Sequence, residues 1–221
     1  DVAVGLQGHR DVLTVMDLYS RWVWCFLMRA HFADSTEDAL KAFSGGFRFD
    51  RVYADNSPEI KADFRKIGIP HEGAQPGVPQ TNGIVERANG VVLAMTRTAL
   101  VAAGLPSCFW PYACQCVCLN RNTDWTNGES PWYRTHAKGE FGGHRLPFGC
   151  LVWFLPSSTK GPDKEASHPK WGSRAVPGIF AGYRMAPGCC WSSRCIVSVA
   201  QPSSSCARHQ LLRAESSLVC R

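Results

Sequence analysis

The sequence predicts an α/β fold, a mixed sheet flanked by helices, followed by a small β-rich module and a poorly ordered tail. Three observations predict it. Short apolar runs that end in turn residues are interleaved with segments of helical period up to about residue 125. Beyond that point the helical period is lost, and brief β-like runs stand between Pro and Gly. Residues 200–221 show no convincing period at all. The expected divisions are residues 1–137, 138–199 and 200–221.

Val12-Leu13-Thr14-Val15-Met16 reads as a buried strand ending at Asp17, and Trp22 to Met28 as its antiparallel neighbour. Asp34 and Ser35 are good caps for a helix with Ala39, Leu40 and Phe43 on one face, stopped by Gly45-Gly46. Arg51 to Ala54 is a third short strand, leading to Asp55. Glu59 to Ile67 has helical period, with Gly68 placed to end the helix, and Ile69-Pro70 reads as a short strand. Residues 72–83 hold three Gly and two Pro, the composition of a loop. A long helix is expected from about Ile84 to Ala103, ending at Gly104-Leu105-Pro106. Ser107 then caps a helix with Phe109, Trp110, Tyr112 and a cysteine group. Runs 147–156 and 178–183 are expected strands, and 157–174 a long exposed loop.

The chain has 221 residues, 45% of them hydrophobic, enough to bury a core. It shows no apolar run of membrane-spanning length. No secretory or targeting pattern opens it, so a fragment of a longer polyprotein, nuclear or cytoplasmic, is expected. Charge is uneven. Residues 1–132 hold 12 Lys and Arg against 14 Asp and Glu, whereas residues 133–221 hold 12 against 4. A near-neutral part followed by a basic one suits a catalytic core with a polyanion-contacting module, or a basic tail. The 11 cysteines include no Cys-x-x-Cys pair. Cys114 and Cys118 share a helix face that Cys116 does not, and buried thiols are the expected reading.

The chemistry-bearing residues are carboxylates. Asp55 closes a strand, and Glu86 sits near the start of a helix that follows a Pro/Gly/Asn loop. Carboxylates converging from different elements can hold two Mg²⁺ or Mn²⁺ ions for phosphoryl transfer. A third acid is normally needed, and Asp1, Asp11 and Asp17 are the candidates. Each acid also has a structural use: a turn for Asp17, a helix cap for Asp55, the helix dipole for Glu86.

The block from Asp55-Asn56 through Gly68-Ile69-Pro70-His71 to Pro79-Gln80-Thr81-Asn82-Gly83-Ile84-Val85-Glu86-Arg87 resembles the catalytic core of retroviral and retrotransposon integrases. Thr14 to Trp22 is similar to that family's second strand and turn. Phe109-Trp110, Ser130-Pro131-Trp132, Pro147-Phe148-Gly149-Cys150 and Gly178 to Tyr183 resemble its copia-type branch. The resemblance implies an RNase H-like fold and a D,D-E triad binding two Mg²⁺ or Mn²⁺ ions. Asp55 takes the second Asp and Glu86, 31 residues on, the Glu. Asp1 fits the first Asp by count, with an acid upstream as the alternative.

It further implies a polynucleotidyl transferase that processes the 3′ ends of element DNA and joins them to target DNA, working as a homo-oligomer. Gln80, Asn82 and Gly83 would belong to a mobile loop positioning DNA. Arg87, Arg97, Lys160, Lys164 and Lys170 are the candidate phosphate contacts. One and two turns beyond Glu86 the same face carries Gly90 and Leu93, where the family often has basic residues. A degenerate remnant that only binds nucleic acid is therefore the alternative. A glycosidase with paired carboxylates has no carbohydrate-platform pattern behind it.

Overall fold

The computed structural model describes residues 4–29, 33–45, 52–54, 58–73, 79–137, 139–154, 175–185, 191–198 and 211–213. Asp1, Asp55, Lys160, Lys164, Lys170 and the 157–174 loop lie outside them.

Strands β1 (Asp11–Met16) and β2 (Val23–Met28) form the expected antiparallel hairpin, Asp11 opposite Met28 and Met16 opposite Val23. Helix α1 (Ala33–Ser44) buries Ala39, Leu40 and Phe43, spaced to share one face. Its start at Ala33 puts Asp34 and Ser35 inside the first turn, not ahead of it. Strand β3 (Val52–Ala54) leads through α2 (Pro58–Ile67) to β4 (His71–Gly73), which runs parallel to β3. Gly68 ends α2 as expected. Its φ is +73°, its N–H donates to Arg65 O, and Ile69 N–H donates to Phe64 O. The strand expected at Ile69-Pro70 begins instead at His71. Pro70 has no N–H to give a ladder, and it contributes only its carbonyl, which accepts from Val52 N at 3.0 Å.

Helix α3 (Pro79–Ala103) starts five residues before the expected Ile84. Residues 79–83 are thus helical, although their composition reads as loop. Pro is well placed at the first helical position, where the N–H has no intrahelical partner in any case. The helix ends as expected at Gly104 (φ +62°), whose N–H donates to Val101 O while Leu105 N–H donates to Leu100 O. Ser107 makes no side-chain cap; it is the first residue of a 3-10 turn, Ser107–Phe109, that leads into α4 (Trp110–Thr123). Helix α5 (Pro131–His136) is capped by Ser130, whose Oγ accepts from Tyr133 N at 3.0 Å.

The remaining strands, β5 (Leu151–Phe154), β6 (Val176–Met185), β7 (Trp191–Ser198) and β8 (Leu211–Arg213), make a four-stranded antiparallel sheet in that order. β8 falls in the segment expected to lack structure; its order comes from pairing with β7, a contact no local pattern announces. Among the described residues the expected mixed sheet is divided into the β1–β2 and β3–β4 pairs.

Helix α4 is buried nearly all round, as a helix covered on several sides must be. It packs against β2, α3 and β6. One buried core joins Trp22, Val23 and Cys25 of β2 and its turn, α4, and Val152, Phe154, Phe180 and Tyr183 of the four-stranded sheet. The core therefore runs across residue 137. Burying a ring such as Phe180 contributes roughly 1.5–3 kcal/mol. Tyr183 also pins the approach to β5, donating to His144 O at 2.8 Å and accepting from Leu146 N at 2.7 Å.

Candidate functional site

Helix α3 has two faces. Ala88, Val92, Thr96 and Leu100, four residues apart, are buried, with Met95 and Ala99 beside them. The opposite face is exposed. Glu86, Gly90, Leu93 and Arg97 follow one another along it at helical spacing, with Arg87 on the adjacent line. Eleven residues separate Glu86 from Arg97, so the guanidinium arises three turns on, about 16 Å along the axis.

Glu86 is the eighth residue of α3, because the helix begins at Pro79. The helix-dipole reading of this acid therefore falls away, since that effect is confined to the first turn. Gln80, Asn82 and Gly83 lie in the first turns of the helix, in place of the expected loop. Glycines 83 and 90 have open space where a Cβ would stand, so neither is required for packing.

Position 55 directly follows the last residue of β3, and β3 is held in place by its parallel partner β4. Of the expected triad the structure describes Glu86; Asp55 and Asp1 are outside the described residues.

The two other candidate acids have definite places. Asp17 is consumed by its turn. Its Oδ2 accepts from Ser20 N at 2.8 Å and from Ser20 Oγ at 2.5 Å, and its Oδ1 from Tyr19 N at 3.4 Å. The turn closes with Asp17 N donating to Trp22 O and with Arg21 at φ +63°. The turn use wins for this residue. Asp11 opens β1 at the far end of the hairpin.

Sequence reasoning missed the polar contacts that position this frame. Asn122 is fully buried in α4, donating Nδ2–H to Val23 O at 2.7 Å and accepting from Val23 N at 3.0 Å. Gln115 donates to Cys25 O at 3.2 Å. Both lash α4 to β2. The available signal was amide side chains on a helix rich in apolar residues, since such a group must find a partner when buried.

No family model matches the chain. The chain is similar to part of the retrovirus-related Pol polyprotein from transposon TNT 1-94 of Nicotiana tabacum, 27% identical, over 80% of this chain and 14% of that protein. Part of the Pol polyprotein from transposon RE1 of Arabidopsis thaliana is 26% identical over 68% of this chain and 11% of its own length. For transposon RE2 of the same plant the figures are 24%, 50% and 8%. The chain thus spans about a seventh or less of these curated relatives. A solved chain from the simian T-cell lymphotropic virus intasome, in complex with the PP2A regulatory subunit B56 gamma, is 16% identical at a TM-score of 0.45, covering 95% of this chain and 77% of that one. Among the described residues no helix is long and apolar enough to cross a membrane. The chain, itself a mixed α/β fold, is thus similar to part of the retroelement Pol polyproteins.

Proposed function

We propose that this chain is the catalytic-core region of a copia-type retroelement integrase, with an RNase H-like fold, joining element DNA ends to target DNA by metal-dependent phosphoryl transfer. The observation that carries the reading is the order of parts in the Asp55–Glu86 block: an acid just past a short strand, a crossover through α2 to a parallel strand, then an acid on an open helix face. The similarity to transposon Pol polyproteins over 80% of the chain supports it.

Asp1, Asp55 and Glu86 form the proposed ligand set. Carboxylates suit two hard cations, Mg²⁺ or Mn²⁺, which would polarise the scissile phosphate and lower the pKa of the attacking water or hydroxyl. Glu86 is exposed, as a ligand shared with a DNA-bound ion has to be. DNA would lie along the outer face of α3, with Arg87 and Arg97 on phosphates. The 16 Å between Glu86 and Arg97 matches about five base-pair rises along a duplex axis. The basic residues 133–221, with Lys160, Lys164 and Lys170, would add sequence-independent affinity. Gln80 and Asn82, at the start of α3, would contact the DNA beside the metals. A homo-oligomer on DNA is the expected working form.

The test is a Mg²⁺-dependent cutting and joining assay with the chain, a labelled duplex end and a target plasmid. Joining that is lost in both Asp55→Asn and Glu86→Gln supports the reading, and joining retained in either one sinks it. One feature favours a second reading: Gly90 and Leu93 leave the face beyond Glu86 without a cation until Arg97. A remnant that only binds would show salt-sensitive DNA binding, no joining by the parent chain, and no loss of binding in Glu86→Gln.

A further inference from the structure

Three cysteines converge in the core between β2 and α4. Cys25 projects from β2, and Cys114 and Cys118, one turn apart, project from α4 toward it. Their three Sγ atoms lie within 4.8 Å of one another, and Cys118 Sγ donates to Cys25 Sγ at 3.3 Å. All three side chains are buried, at 0%, 3% and 0% exposure. Thr14 of β1 brings its hydroxyl to 3.7 Å from Cys25 Sγ. Among the described residues no histidine or carboxylate joins the group.

Buried cysteines often serve as small apolar side chains. Cys116 shows what that use looks like here. It is as deeply buried on the same helix but turned to the other side, where its Cβ lies 3.5 Å from where a Cβ on Gly182 of β6 would stand. Cys25 differs. Its sulfur accepts a hydrogen bond from Cys118 Sγ and lies beside that of Cys114.

We propose that Cys25, Cys114 and Cys118 form a closed three-sulfur site for a thiophilic monovalent d¹⁰ cation, Cu(I). A metal bonded to sulfur at about 2.3 Å in a plane holds its three sulfurs about 4 Å apart, so side-chain shifts of under about 1 Å would seat it. Thiolate ligands select soft cations. Zn²⁺ in a closed site takes four ligands, and among the described residues the groups beside the sulfurs are the neutral hydroxyls of Thr14 and Thr96. Binding releases thiol protons to solvent and changes no oxidation state. Because the ligands come from β2 and α4, the cation would cross-link the same two elements that Asn122 joins, and it would bind the folded chain in preference to the unfolded one.

The test is anaerobic titration of the reduced chain with Cu(I), delivered from a competing chelator, against thermal unfolding. Cys189 and Cys190 are adjacent in sequence and are a rival site, so a C189S/C190S chain is titrated beside the parent. The first equivalent of Cu(I) should raise the melting temperature of the parent, of C189S/C190S and of C116S, and should leave C25S and C118S unshifted. X-ray absorption of the C189S/C190S chain with one equivalent should show three sulfur neighbours and no nitrogen or oxygen. This readout stands even where C25S and C118S do not fold. The proposal is overturned by a spectrum with two sulfurs, by a shift that survives in folded C118S or vanishes in C189S/C190S, or by one Zn²⁺ taken up where Cu(I) is refused.

Discussion

Helices α3 and α4 pack side by side, yet their surfaces are opposites. α4 is surrounded, and several of its buried polar groups are engaged: Asn122 with Val23, Gln115 with Cys25, and Thr123 with Leu119 O at 3.0 Å. α3 buries a single stripe and leaves Glu86, Gly90, Leu93 and Arg97 in the open, together with exposed Ile84, Val91 and Val101. A helix lashed to its neighbours through buried polar groups fixes geometry. A helix with an uncovered face, an acid and a guanidinium on one line is a place for something else to bind. The contrast separates residues whose loss should unfold the chain from residues whose loss should leave it folded and idle.

The widest gap between fold and function is expected at Glu86. Glu86→Gln should reduce Mg²⁺-dependent joining about a thousandfold or more, equivalent to several kcal/mol of transition-state stabilisation. Its unfolding free energy should stay within about 0.5 kcal/mol of the parent, because the side chain is exposed. Joining assays paired with urea unfolding check both halves, and a destabilised Glu86→Gln would break the comparison.

Asn122→Ala tests the opposite case. It strands the buried N–H and C=O of Val23 and should lower stability by roughly 2–5 kcal/mol in the same unfolding measurement. Gly149→Ala comes next. At φ +78° an L side chain is strained, and its Cβ would meet Ala103 Cβ at 2.3 Å at the end of α3. A loss of about 1–3 kcal/mol is expected by thermal unfolding.

The smallest effect should be a gain. Gly90→Lys places a helix-favouring side chain in open space on the Glu86 line. It should add roughly 0.5–1 kcal/mol of stability, and it should steepen the salt dependence of DNA binding by about one ion. Unchanged salt dependence would argue that DNA does not follow this face.

What could be read from the sequence was what is local. The hairpin, α2 with its Gly68 stop, and the end of α3 at Gly104 each rest on neighbouring residues. Pro79 misled because proline both ends a loop and begins a helix, and only the helix moves Glu86 out of the first turn. β4 was displaced by two residues for want of weight on the missing N–H of Pro70. β7 and β8 depend on partners across the sheet. Cys25 stands 89 residues before Cys114, so the sulfur group could not be seen in spacing, although the shared face of Cys114 and Cys118 could. Of the candidate site, Asp55 and Glu86 are proposed from a motif, whereas Asp17 loses its candidacy to the turn that engages both its oxygens.

The grip of Asn122 on Val23 has a consequence for solubility. β2 is an outer strand of its described sheet, and such strands invite pairing by a strand from another copy. The carboxamide occupies the donor and acceptor positions that an incoming strand would use at Val23, and Gln115 takes the carbonyl of Cys25 two residues on. A helix thus imitates a neighbouring strand with two side chains, and it closes this edge to runaway strand addition.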